Sequence, residues 1–163
     1  AMVWGGLSLA INIAPARHVR AAAHPLRARF GAVRFSPVYR TAAVGFDGPA
    51  FLNAAAALRT DLDARALDAW LHALEDAQGR RRDGPRFSSR TLDIDLLLYG
   101  SAILQGPGNL ELPRPDLAQH AFVLRPMVDL APELVHPLLG RSLAELLQEL
   151  GPDSALERTS VQL

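Results

Sequence analysis

The 163-residue chain is 49% hydrophobic and 21% charged, long and apolar enough to bury a core and expected to form one domain. Its formal net charge is zero, which argues against a general basic field for nucleic acid, and no window approaches the roughly 18 continuous apolar residues of a membrane span. Cysteine and lysine are both absent, the 17 basic residues all being arginine, so disulfide, Walker-type phosphate-loop and Schiff-base chemistry are excluded. A cytoplasmic setting is the default expectation, because the first residues lack the charged-then-apolar order of a signal peptide.

In chain order, LSLAINI (Leu7 to Ile13) reads as a buried strand. Pro15 suits the start of a helix whose Val19, Ala22, Ala23, Leu26 and Phe30 keep helical spacing, and Pro25 is expected to kink it or end it early. The runs AVRFSPVYRTAAV and AFLNAAAAL read as strands, joined by GFDGP in a hairpin. Asp61 or Asp63 can cap a helix carrying Leu67, Trp70, Leu71 and Leu74, which Gly79 closes. A polar loop from Gly79 to Ser89 precedes the strand RTLDIDLLLYG, Arg90 to Gly100. Ser142 and Glu145 form a capping box for a helix through Leu150, and the residues after Gly151 look frayed. The order strand, helix, strand, strand, helix, strand matches the split βαβ, ferredoxin-like arrangement.

Along RTLDIDLLLYG, alternation puts Leu92, Ile94, Leu96 and Leu98 on one face, with Asp93 and Asp95 together on the other. The two carboxylates stand roughly 6.6 Å apart at Cα, close enough to converge on one metal ion or bridge two. A solvated strand face is the plain alternative, but aspartate is disfavoured in strands and adjacent like charges repel unless a cation joins them. Just upstream, Arg80, Arg81, Arg82, Arg86 and Arg90 face only Asp83 in the same run. Beside a carboxylate pair, such guanidinium forks suit a triphosphate, with Gly79 and Gly84 suiting a loop that closes over it.

RTLDIDLLLYG, preceded by EDAQGRRRDGPR, resembles the signature of the 6-hydroxymethyl-7,8-dihydropterin pyrophosphokinase family. The likeness continues through SPVYRTAAVGFDGPAFLNAAAAL upstream and LPRPDLAQHAFVLRPMVDLAPELVHP downstream, from about Ser8 to Pro137. It implies an α+β, ferredoxin-like (βαββαβ) fold with a mostly antiparallel sheet backed by helices. It implies transfer of pyrophosphate from ATP to the pterin hydroxymethyl group, leaving AMP, with two Mg²⁺ ions held by Asp93 and Asp95. Arg80, Arg82 and Arg90 are implied to grip the triphosphate; Glu75, Leu96, Leu110, Arg114 and His120 are implied to lie around the nucleotide. For the pterin, the resemblance implies Thr41, Ala42 and Val44 along the backbone, Asn53 at the ring edge, and Phe51 and Phe122 on its faces. ATP and the pterin are then the expected partners of a monomeric enzyme, with neither nucleic acid nor membrane.

The chain departs from that pattern in places. Ala10-Ile11-Asn12 stands where the family usually has Gly-Ser-Asn, and Ser88-Ser89 where it has Gly-Pro. Phe87 replaces a common tryptophan, Arg114 a common histidine, and His120 a common arginine. Phe51 and Phe122 could instead be core residues. Two rival functions stand beside the enzyme: a non-catalytic paralogue that binds nucleotide or pterin, and a D-x-D glycosyltransferase, for which the chain is short.

Overall fold

A computed structural model describes residues 1–12, 17–41, 51–79 and 91–163. Two long strands, β1 (Val3–Asn12) and β4 (Phe51–Thr60), pair antiparallel through the middle of the sheet. Helix α1 (Arg17–Phe30) follows β1, and the short strands β2 (Arg34–Phe35) and β3 (Tyr39–Thr41) both pair antiparallel with β4. Helix α2 (Ala64–Gly79) leads to β5 (Thr91–Tyr99), which adds to the other side of β1. The order β5-β1-β4-β3, antiparallel throughout, is that of a ferredoxin-like sheet.

The rest of the chain forms a small ribbon of β6 (Leu104–Gln105) and β7 (Glu111–Leu112), then α3 (Asp116–Gln119), α4 (Ala121–Leu130) and α5 (Leu143–Leu150). These later helices cover the face of the sheet opposite α1 and α2. Leu7, Leu9, Ile11, Ala54, Ala56 and Leu58 pack against Ala22, Leu26, Leu67 and Leu71 on one side. On the other, Ala55 and Leu97 pack against Leu124, Met127, Leu143 and Leu146. Each leucine buried in this way contributes about 1.5–3 kcal/mol.

Alanine is a poor strand former, yet Ala54 to Ala57 are the buried centre of the sheet. Their small side chains let helices approach both faces, and that packing overrides the local helical preference. Elsewhere local chemistry sets the boundaries. Asp63 caps α2, its Oδ1 accepting from the Ala66 N–H at 2.8 Å. Ser142 and Glu145 make the reciprocal bonds of a capping box on α5.

Three expectations are corrected. Of the two outcomes expected at Pro25, a kink or an early end, the early end is not found: helix α1 continues to Phe30, where Gly31 at φ 79° closes it. Buried Ala22, Ala23 and Leu26 flank the proline and hold both halves of the helix to the sheet, which offsets the missing hydrogen bond. Leu98 does not share a face with Leu96. Leu7 pairs with Leu96 and Gly6 with Leu98, so Leu97 is an extra residue that turns Leu98 into the core under α4. Finally, the chain after Gly151 is not frayed. Strand β8 (Leu156–Arg158) pairs with β3, and Val161 and Leu163 pack against the core on the α1 side.

Candidate active site

Strand parity assembles the site on the sheet face that α3, α4 and α5 share. Along β4, Leu52, Ala54 and Ala56 turn toward α1 and α2, leaving Phe51, Asn53 and Ala55 on the opposite face. On β1, Leu7, Leu9 and Ile11 do the same, leaving Ser8 and Ala10. Ala10 pairs with Asn53 on one side and Asp93 on the other, while Ser8 lies between Ala55 and Asp95. Asn53 and Asp93 are therefore two strands apart, about 10 Å at Cα, with only an alanine between them. A flat ligand held at Asn53 could extend a substituent across that floor to the carboxylates.

The bulge also places the cation of the site. The Leu97 carbonyl accepts from the Arg114 N–H at 2.9 Å, holding the start of α3 beside β5. Arg114 Nη2 then lies 3.6 Å from Asp95 Oδ1, and Nε lies 3.5 Å from Asp116 Oδ2. That Nε is buried and has no hydrogen-bond partner among the described residues. Burial raises the Asp95 pKa above the usual carboxylate value; Arg114 pulls it down, and Asp93 and Asp116 push it up. Burial is the largest of these influences, so Asp95 is a carboxylate partly withdrawn from water.

Two adjacent carboxylates on one strand face suit a cation. Among the described residues no three His, Asp or Glu side chains are placed to hold a metal ion together, so Asp93 and Asp95 are a two-donor set of hard oxygens. Mg²⁺ commonly takes one or two carboxylates and completes its shell with water and phosphate oxygens, which this set fits.

The other expected site residues divide. Thr41 and Asn53 meet directly, Asn53 Nδ2 donating to Thr41 Oγ1 at 2.7 Å. Phe51 is 40% exposed, free to meet a ligand. Phe122 is half in the core under α4, and His120 stacks on its ring with centroids 5.0 Å apart and planes at 18°. The side chains of Leu96 and Leu110 are buried in the core cluster that includes residues of α1 and α2. Glu75, on α2, accepts the Ile94 N–H with Oε1 at 2.7 Å, and burial raises its pKa although that hydrogen bond opposes the rise. Arg80, Arg82, Arg90, Ala42 and Val44 lie outside the described residues.

Sequence reasoning missed His72, whose ring lies 3.4 Å from both Glu75 and Asp68. The i, i+3 and i, i+4 spacing of the three on α2 was the available signal. It also missed the cluster beside Asn53, where the hydroxyl of its cross-strand partner Tyr39 donates to Asp129 Oδ2 and accepts from Arg125 Nε at 3.2 Å. No local pattern joins residues that far apart in the chain.

A ferredoxin-like sheet with a paired-carboxylate face thus defines the class of fold and site. The family model described as 7,8-dihydro-6-hydroxymethylpterin-pyrophosphokinase (HPPK) matches residues 6–132, and the chain belongs to that family. It is 44% identical over 127 residues to the 2-amino-4-hydroxy-6-hydroxymethyldihydropteridine pyrophosphokinase of Pseudomonas aeruginosa, covering 77% of this chain and 76% of that protein. The enzyme of the same description from Porphyromonas gingivalis is 37% identical over 137 residues, covering 80% of this chain and 92% of that one. Among solved structures, wild-type HPPK-DHPS of Plasmodium falciparum superposes with a TM-score of 0.76 at 12% identity, over 99% of this chain. The present chain spans 49% of that structure's length, and at such identity the likeness speaks for the fold alone.

Proposed function

We propose that the protein transfers pyrophosphate from ATP to 6-hydroxymethyl-7,8-dihydropterin, giving the pterin diphosphate and AMP, as a step of folate biosynthesis. Membership of the family and the printed activities of its relatives support this. The observation that carries it is the placement of Asn53 and the Asp93–Asp95 pair on one face of the sheet, with only small residues between them. No observation favours a non-catalytic role.

In this reading Asn53 recognises the pterin edge by hydrogen bonds, held in orientation by Thr41. Phe51 and Phe122 offer ring faces to the pterin, and His120 supports Phe122 from behind. Asp93 and Asp95 would hold Mg²⁺, with Arg114 favouring the ionised form of Asp95 against the effect of burial. Bound there, Mg²⁺ would supply charge neutralisation for the transferred phosphates and a lower pKa for an attacking hydroxyl. Arg80, Arg82 and Arg90 grip the triphosphate as bidentate forks. No side chain is assigned as a general base, since such transfers rest mainly on positioning and charge.

The test is the nucleotide product. Incubation with ATP, Mg²⁺ and 6-hydroxymethyl-7,8-dihydropterin should yield AMP and the pterin diphosphate in equal amounts. ADP, or no turnover with all three present, would contradict the proposal.

A further inference from the structure

Among the described residues strand β5 is the edge of the sheet, paired with β1 on one side only. On such a strand the N–H groups alternate between the paired neighbour and the open edge. The Ile94 N–H faces outward and donates to Glu75 Oε1 at 2.7 Å. The N–H groups of Asp93 and Asp95 consequently face β1, where those residues pair with Ala10 and Ser8. The backbone of Asp93-Ile94-Asp95 is thus held from both sides: by β1 at the two aspartates, and by one side chain of α2 between them.

The rest of Glu75 is also occupied. Its Oε2 lies 3.4 Å from His72 Nδ1, and His72 Nε2 lies 3.4 Å from Asp68. Both oxygens are thus engaged within the protein, whereas the resemblance implied a place beside the nucleotide for this residue.

We propose that Glu75 is a positioning residue for the carboxylate pair: by accepting the Ile94 N–H it fixes the backbone from which Asp93 and Asp95 diverge. This inference rests on the proposed function for its consequence in turnover, but not for its structural content. Its chemical corollary is that Glu75 acts as a hydrogen-bond acceptor and not as a negative charge. Glutamine keeps that acceptor; alanine removes it.

The experiment compares Glu75→Gln with Glu75→Ala. Amide exchange at Ile94, measured by NMR on the ligand-free protein, should stay near wild type in Glu75→Gln and speed up clearly in Glu75→Ala. In calorimetry with a non-hydrolysable ATP analogue, Mg²⁺ affinity should hold in Glu75→Gln and fall about tenfold or more in Glu75→Ala, the scale of losing a residue that orients a metal ligand. The pterin KM should change in neither. Should Glu75→Ala not fold, Glu75→Asp replaces it, its carboxylate being one methylene too short. Equal loss of nucleotide and Mg²⁺ binding in both variants, with Ile94 still protected in Glu75→Gln, would overturn the proposal in favour of a charged contact to the ligand. Unchanged Ile94 exchange in Glu75→Ala would overturn it as well. A wild-type protein that releases no AMP would defeat the proposed function, while Ile94 exchange would still decide the role of Glu75.

Discussion

Asn53 Nδ2 donates to Thr41 Oγ1 at 2.7 Å, and Asn53 is only 3% exposed. A buried amide with its nitrogen committed on one side presents its oxygen to the other. On the proposed function, that bond would decide which end of Asn53 a ligand meets, making Thr41 part of the recognition without its side chain touching the ligand.

Thr41→Val keeps shape and removes the acceptor. Orphaning a buried amide donor should cost about 1–3 kcal/mol of stability. The pterin KM should rise while the ATP KM stays near wild type. Thermal melting and steady-state kinetics check both parts; an unchanged pterin KM would separate Thr41 from recognition.

Phe122 has His120 stacked against it. Phe122→Ala should weaken pterin binding by about 1–3 kcal/mol, by analogy with base stacking on an aromatic ring, and leave ATP binding nearly intact. His120→Ala should shift pterin binding in the same direction by less. Fluorescence or calorimetric titration of each ligand separately reads this. Equal weakening of both ligands by Phe122→Ala would mark the residue as core.

His136 is 4% exposed, and its Nδ1 accepts from the N–H groups of Leu138 and Leu139 at 3.2 and 3.1 Å. Burial lowers its pKa below the ordinary 6.5, and protonation would remove both hydrogen bonds. Because the folded pKa is depressed, the unfolded chain binds the proton more readily. The stability from neutral His136 is therefore full above pH 6.5 and is lost as pH falls below it, through the lowered value. Melting temperature against pH should drop more steeply on that acid side in wild type than in His136→Ala. Parallel curves would show that His136 does not titrate with unfolding.

Much of this was legible in the sequence where the physics is local. Alternation placed Asp93 and Asp95 on one face, and Ser142 with Glu145 named a helix start by the spacing of their reciprocal bonds. What escaped depends on partners far along the chain. Leu98 changes face because Leu97 bulges against Gly6, some ninety residues earlier. Arg114 reaches Asp95 because the same bulge offers a carbonyl to its backbone. Pro25 sits within a helix because the sheet holds both flanks. The tail read as frayed because a short strand such as Leu156–Arg158 has no periodicity of its own and is ordered by the edge of β3.

That last correction makes a prediction. The Thr159 N–H and hydroxyl both donate to the Val38 carbonyl at 2.8 Å, and Arg27 Nη2 donates to the Leu163 carbonyl at 2.6 Å. A cavity of about 620 Å³ between β3, α4, α5 and β8 has Leu156 in its wall. Deleting residues 152–163 should remove on the order of 3 kcal/mol, the scale of burying one or two aliphatic side chains, and expose the edge of β3 to association. Denaturant unfolding and light scattering measure the two effects. A truncated protein as stable and monodisperse as the full chain would show that the tail contributes nothing.

The central claim is that Asp93 and Asp95 hold a cation for phosphate transfer, and its most direct measurement is AMP release by Asp93→Asn and Asp95→Asn. Each substitution keeps the size of the side chain and removes one hard anionic oxygen ligand. Activity should fall by roughly orders of magnitude in each, with the double variant little worse, because the pair acts as a unit. Melting of the ligand-free protein should hold or rise, since the repulsion between the two carboxylates is relieved. The added stability conferred by Mg²⁺ with an ATP analogue should shrink in both. Two single variants with wild-type AMP release would contradict the account, returning the pair to an ordinary solvated strand face.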